Sequence, residues 1–341
     1  MTCASPRPRV DDRLVMRLAH HLTDRDRRIL RLLSSHRVLT TEQVRDVCFD
    51  AVNTAQHRLT KLYQLRLVDR FQPLDAGYRS GPYHYVLDEA GVLVLAVEGG
   101  EDPERLRWRG ARGLALAKSQ HLSHLVGVNG FFTALICESR SRPGCQLVEW
   151  RSERSWISQY GEITPTRPDG LGVWEEGGNR VEFFLEYDRS TEPLHRLVAK
   201  MPGYEELERA LGRRRWVLFS FASSRREMGA RAALAGTTAL VATSARTGGT
   251  RPHEAIWAPL AGAARLGLAQ LAEEPRSRSG VLAAGPAPAD PRQRKDLLVA
   301  ARLVARCHGS SPTVSGPFSG PRPLSRAVRF SEVDSDWRPA P

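Results

Sequence analysis

Residues 167–200 read RPDGLGVWEEGGNRVEFFLEYDRSTEPLHRLVAK. Two β-type runs, the second of them VEFFLEYD, flank Gly177-Gly178-Asn179, a sequence suited to a tight turn. Side chains alternate along a strand, so Glu182, Phe184, Glu186 and Asp188 share one face. Asp169, on the neighbouring strand, can meet Glu186 there. The helical run TEPLHRLVAKMPGYEELERALG follows, with Pro202 expected to kink it, and carries Lys200 with Tyr204 one turn on. A second reading stays open. Asp169 would then bond local backbone in a Pro-Asp-Gly turn, and Glu186 and Asp188 would end a strand beside Arg189 and Arg196.

Upstream of this stretch, KSQHLSHLVGVNGFFTALICESR (118–140) repeats apolar residues at helical spacing, from Leu122 through Leu125, Val128 and Phe132 to Ile136. CQLVEWRSER then reads as a short strand with a polar exit. Downstream, WVLFSFA reads as a buried strand, SSRREMGARAAL as a helix and ALVATSA as a last strand. Residues 114–262 thus form an α/β (α+β) unit in the order αβββαβ, with a further helix and strand.

The N-terminal part has a different rhythm. Thr23 with Asp26 opens one helix as a near capping box, and Thr40-Thr41-Glu42 opens a second. A third, about 53–65, turns Ala55, Leu59, Leu62 and Leu65 inward. Its other face carries Asn53, Thr54, Gln56, His57, Lys61 and Gln64, groups able to bond bases and phosphates. Strand-like runs 67–71 and 83–87 then flank a loop holding Arg79. Residues 1–21 are expected to be a flexible arm, 22–100 one domain, and 101–113 an Arg-rich linker. Residues 263–341 are expected to be a mostly disordered basic tail with a helix near 295–307.

The chain has 341 residues, a formal net charge of +12 carried mostly by arginine, and five scattered cysteines without a CxxC pair. That balance favours a polyanionic partner, although an arginine-rich proteome would write the same surface. Neither a signal peptide nor a run long enough to span a bilayer is evident, so a cytoplasmic protein is expected. No nucleotide-binding glycine motif or metal-binding HExxH occurs, and His20, His21, His121 and His124 read as surface or core histidines.

Three short helices and a hairpin with arginine at its tip resemble a winged helix-turn-helix, and HRLTKLYQLRLVDR is similar to the third helix and wing entry of bacterial winged-helix regulators. The resemblance implies that Asn53, Thr54, Gln56, His57 and Lys61 face duplex DNA, with Arg79 on the wing. The second unit resembles the PD-(D/E)xK nuclease superfamily. This implies Asp169, Glu186 and Lys200 as catalytic residues, and Asp169, Glu186 and Asp188 as ligands for Mg²⁺ or Mn²⁺, with Glu153 as an additional acid. Asp188 stands where the superfamily has its lysine, and Lys200 would have to reach in from the next helix. Together, the winged helix followed by PDG…FFLEYDRSTEPLHRLVAKMPGY and RWVLFSF…RREMGARAAL resembles the replication-relaxation family over about residues 22–262. The resemblance implies DNA binding tied to plasmid or mobile-element replication, copy-number control or transfer. An active Mg²⁺-dependent endonuclease and a protein-interaction scaffold are the alternatives; a homodimer and replication or transfer proteins are the further partners to consider.

Overall fold

The computed structural model describes residues 7–73, 81–100 and 115–273. Its first helix, α1 (Asp12–His21), corrects the expected arm. Asp11 caps it by accepting from the Leu14 amide, and Leu14, Val15 and Leu18 are buried. Three apolar residues in one turn and a half suffice to dock a helix, although they are too few to show a period in a polar sequence.

Helix α2 (Asp24–His36) begins with a complete capping box, Thr23 against Asp26. Asp26 is buried, and Arg58 grips its carboxylate with two hydrogen bonds. Burial alone would raise the Asp26 carboxyl, but the bonds from Arg58 and Thr23 outweigh it and hold the group below its ordinary value. Strand β1 (Leu39–Thr40) leads into α3 (Thr41–Cys48), capped by a second box of Thr40 with Gln43. Helix α4 (Val52–Gln64) buries Ala55, Leu59 and Leu62. Strands β2 (Val68–Phe71) and β3 (His84–Leu87) pair antiparallel, and β1 adds to β3 to give the order β1-β3-β2. Helix α5 (Glu89–Glu98) follows, capped by Asp88. The expected linker, 101–113, and Arg79 lie outside the described residues.

The second sheet is mixed and has six strands. Helix α6 (Leu122–Ser141) precedes β4 (Cys145–Ser152), α7 (Glu153–Tyr160), β5 (Gly170–Glu176) and β6 (Asn179–Tyr187). Then come α8 (Leu194–Leu211), β7 (Trp216–Phe221), α9 (Ser224–Leu234), β8 (Val241–Ala245) and β9 (Ala258–Pro259). Strands β4 to β6 form an antiparallel meander, β6, β7 and β8 run parallel, and β9 closes the edge antiparallel. Gly177 and Gly178 both adopt positive φ (58° and 86°), the two-residue hairpin geometry that a side chain resists.

Alternation along β6 sorts the two faces. Val181, Phe183 and Leu185 meet Phe131, Phe132 and Leu135 of α6. On the other face, Phe184 meets Met201 and Tyr204 of α8, together with Trp156 of α7. Helix α6 also packs on the N-terminal elements. Gln43 Nε2 donates to Val126 O (2.7 Å), Asn129 Nδ2 to Val38 O (2.6 Å), and Arg140 to Asp46 O and Phe49 O (3.0 Å each). One hydrophobic cluster therefore runs from Leu14 to Leu271, crossing the boundary expected near residue 100. The expected start of the tail is also corrected. Leu268 and Leu271 are buried, and Trp216 Nε1 donates to Leu271 O (3.0 Å), so the packed body continues to residue 273. The helix expected near 295–307 lies outside the described residues.

Candidate functional site

Two arrangements stand out. On α4, the side that does not enter the core presents Asn53, Thr54, Gln56, His57 and Lys61, all exposed. The helix is fixed from behind by Leu59 and Leu62 in the core and by Arg58 on Asp26. The five side chains thus project from a rigid support. They offer amide and hydroxyl donors and acceptors, an imidazole and one ammonium.

The second arrangement lies at the end of the β5–β6 hairpin. The register pairs Gly170 with Leu185, and one step further the Asp169 amide donates to Leu185 O (3.0 Å), so Asp169 and Glu186 are cross-strand neighbours. Glu186 is 2% exposed. Lys200 Nζ reaches its Oε2 at 2.5 Å, and the Tyr204 hydroxyl donates to Oε1. Helical phase brings both to the carboxylate, because residues 200 and 204 are one turn apart on α8. Asp169 is held as fully. Tyr187 N–H donates to Oδ2 at 2.7 Å and His124 Nε2–H to Oδ1 at 2.9 Å, the latter from the first turn of α6.

Charge at this end is finely set. Burial, with the Asp169 charge beside it, pushes the Glu186 carboxyl up to about 7, against the pull of Lys200 and Tyr204. Burial would lower Lys200, but the Glu186 carboxylate more than offsets this and the ammonium is held above its ordinary value. His124 behaves alike: burial lowers it, while the bond and charge of Asp169 raise it further. Burial and Glu186 together push the Tyr204 phenol well up.

The residues expected to ligate a metal fare differently. Asp169 and Glu186 come together. Asp188 does not join them, because it lies beyond the last residue of β6 and is paired with Arg226 (Nη2–Oδ2 2.9 Å, Nε–Oδ1 3.2 Å) and with the Ser190 amide (2.6 Å). Glu153 is exposed at the start of α7, where its charge acts on Arg37. All four oxygens of Asp169 and Glu186 already accept from protein donors, and Lys200 stands against the buried carboxylate. Among the described residues, no group of three or more His, Cys, Asp and Glu side chains could hold a metal ion. As arranged, the donor set does not fit Mg²⁺, which needs open, ionised carboxylate ligands.

His124 and Tyr204 complete the cluster. Tyr204 was legible from its spacing to Lys200, whereas His124 finds its partner forty-five positions away and left no local signal.

Comparison with known proteins bears on the chain as a whole. A family model described as replication-relaxation matches residues 30–216. No curated protein and no solved structure matches the chain.

Proposed function

The chain belongs to the replication-relaxation family, and from that premise we propose that it is a duplex-DNA-binding protein in plasmid or mobile-element replication, with α4 as its reading helix. The observation that carries this is the exposed row Asn53, Thr54, Gln56, His57 and Lys61 on a helix anchored from behind. The order α2-β1-α3-α4-β2-β3 supports a winged-helix reading, in which such a helix lies in the major groove. Asn and Gln there can bond adenine edges bidentately, while Lys61 neutralises a phosphate. A formal net charge of +12 has the sign that duplex binding needs.

The test is a salt titration of duplex binding by fluorescence anisotropy. Wild type should bind with log K falling linearly in log salt. Lys61→Ala should flatten that slope by about one phosphate's worth, roughly 0.9. Absence of binding at low salt would reject the proposal and favour a protein-interaction role.

An Mg²⁺-dependent endonuclease is the second reading, and the convergence of Asp169, Glu186 and Lys200 favours it. The occupied carboxylate oxygens weigh against it. Nicking of supercoiled plasmid in Mg²⁺ by wild type, lost in Asp169→Ala and Glu186→Ala, would establish it.

A further inference from the structure

The Asp169–Glu186 pair has the cross-strand placement in which two carboxylates can share a divalent cation, yet its cations come from the chain itself. Lys200 Nζ lies on Glu186 Oε2 and His124 Nε2 on Asp169 Oδ1, while Tyr204 and the Tyr187 amide hold the remaining oxygens. We infer that Lys200 is the resident cation of this centre: its ammonium occupies the coordination space of the pair, closes it to divalent ions, and makes the centre a metal-free ionic lock on the end of the sheet.

Three observations carry this independently of DNA binding. First, the ammonium is compact and its stem is anchored. Leu197 and Met201 beside it on α8 are buried, so Lys200 approaches from a helix that cannot swing away without opening the core. Second, the chain contains only four lysines among its fifty basic residues, and arginine supplies nearly every other surface charge. The one basic side chain on Glu186 is nevertheless the point-charge type rather than the planar fork, which is the better mimic of a small ion. Third, each of the four carboxylate oxygens already has a donor from the chain: His124 from α6, the Tyr187 amide from β6, and Lys200 and Tyr204 from α8, with the charge of Glu192 also acting on Lys200. Of the other basic groups close by among the described residues, Arg226 and Arg246 are committed to Asp188 and to the carbonyls of Ser220 and Asp188, and Arg189, whose charge also acts on His124, donates to Gln120 O.

To bind Mn²⁺ or Mg²⁺, the pair would have to break the Lys200 contact on the buried Glu186 carboxylate. Removing the ammonium should therefore create a metal site where the wild type has none. Lys200→Met keeps the length of the stem and deletes the charge. The experiment titrates the full chain with MnCl₂ and follows free Mn²⁺ by electron paramagnetic resonance. Wild type should show no saturable uptake. Lys200→Met should bind one Mn²⁺, at least about tenfold more tightly than any wild-type uptake, because the buried Glu186 carboxylate and the half-buried Asp169 beside it are left without a counter-ion and offer hard oxygen ligands. Adding Glu186→Gln to that variant should abolish the gain. Saturable wild-type uptake, or a folded Lys200→Met that gains none, would overturn the inference.

Should the variant not fold, the wild type decides alone. With four lysines, the Nζ resonance of Lys200 is readily assigned by nuclear magnetic resonance. It should stay unshifted as Mg²⁺ is added to millimolar levels; displacement of the signal by Mg²⁺ would refute the assignment.

Discussion

Replacing Asn129 by alanine should unseat the joint between α6 and the N-terminal elements. Asn129 is 1% exposed, and its Nδ2 donates to Val38 O at 2.6 Å and to His36 O at 3.2 Å. His36 O keeps a partner in the variant, since the Val38 amide also donates to it (2.9 Å). Val38 O is the vulnerable acceptor, beside a fully buried valine. Stranding it costs about 1–3 kcal/mol, and the weaker bond to His36 adds about 0.5–1 kcal/mol. A total of about 1.5–4 kcal/mol corresponds to a fall of roughly 3–16 °C in Tm for a body of this size. Urea unfolding should show the midpoint falling with an unchanged slope, the mark of lost native contacts rather than an altered unfolded state. Asn129→Asp should cost more, because it sets a carboxylate against two carbonyl oxygens. A loss below about 0.5 kcal/mol for Asn129→Ala, the level of an ordinary surface substitution, would show that Val38 O is not stranded and that Asn129 does not seat the joint.

Two further outcomes follow from buried charge. Arg58→Met should cost about 2–3 kcal/mol by leaving the fully buried Asp26 without its cation, with Thr23 still bonding it. Adding Asp26→Asn should restore most of the loss in thermal melts, and no recovery would place the cost in lost packing of the arginine stem. The pH profile is set by opposing groups. Glu186 has a folded value of about 7 against an ordinary 4.5, so the folded state holds a proton there and stability falls as pH rises through that window. Burial pushes His36 down to about 3 from 6.5, so it is neutral when folded, and stability rises with pH from 3 to 6.5; His84, also lowered by burial, acts in the same sense. His124, raised, contributes stability that is lost as pH climbs through its folded value, above 6.5. In Glu186→Gln the largest opposing slope is removed, leaving only the smaller one from Asp46, which burial also raises, so its Tm should climb from pH 4.5 to 6.5 where the wild type is nearly level. Parallel profiles for the two proteins would contradict the elevated carboxyl.

What the sequence made legible is what local chemistry writes. The Thr23–Asp26 box, the Thr40 start, the inward row of α4 and the Gly177-Gly178 turn all stand where short-range rules put them. The β6 face was legible as far as strand alternation lasts: Glu182, Phe184 and Glu186 share it, with Glu182 on Arg213 and Arg215. At Asp188 the strand has ended and a partner thirty-eight residues on, Arg226, decides instead. Lys200 reaches Glu186 because helical phase carries it inward. Helix α7 hid between strand-like runs because eight residues are too few to show a period. His124 and α1 depend on contacts with distant residues, and such pairings have no signature in a single sequence.

Whether α4 carries the DNA can be read by site-specific crosslinking. A photoreactive p-benzoylphenylalanine would replace His57, exposed on α4, or Met228, which is 68% exposed on α9. Each protein would be irradiated with labelled duplex at low salt. A covalent DNA adduct that competitor duplex removes is expected from position 57, and little from position 228. Equal adducts at both positions, or none at 57 in a protein that still binds duplex, would contradict it.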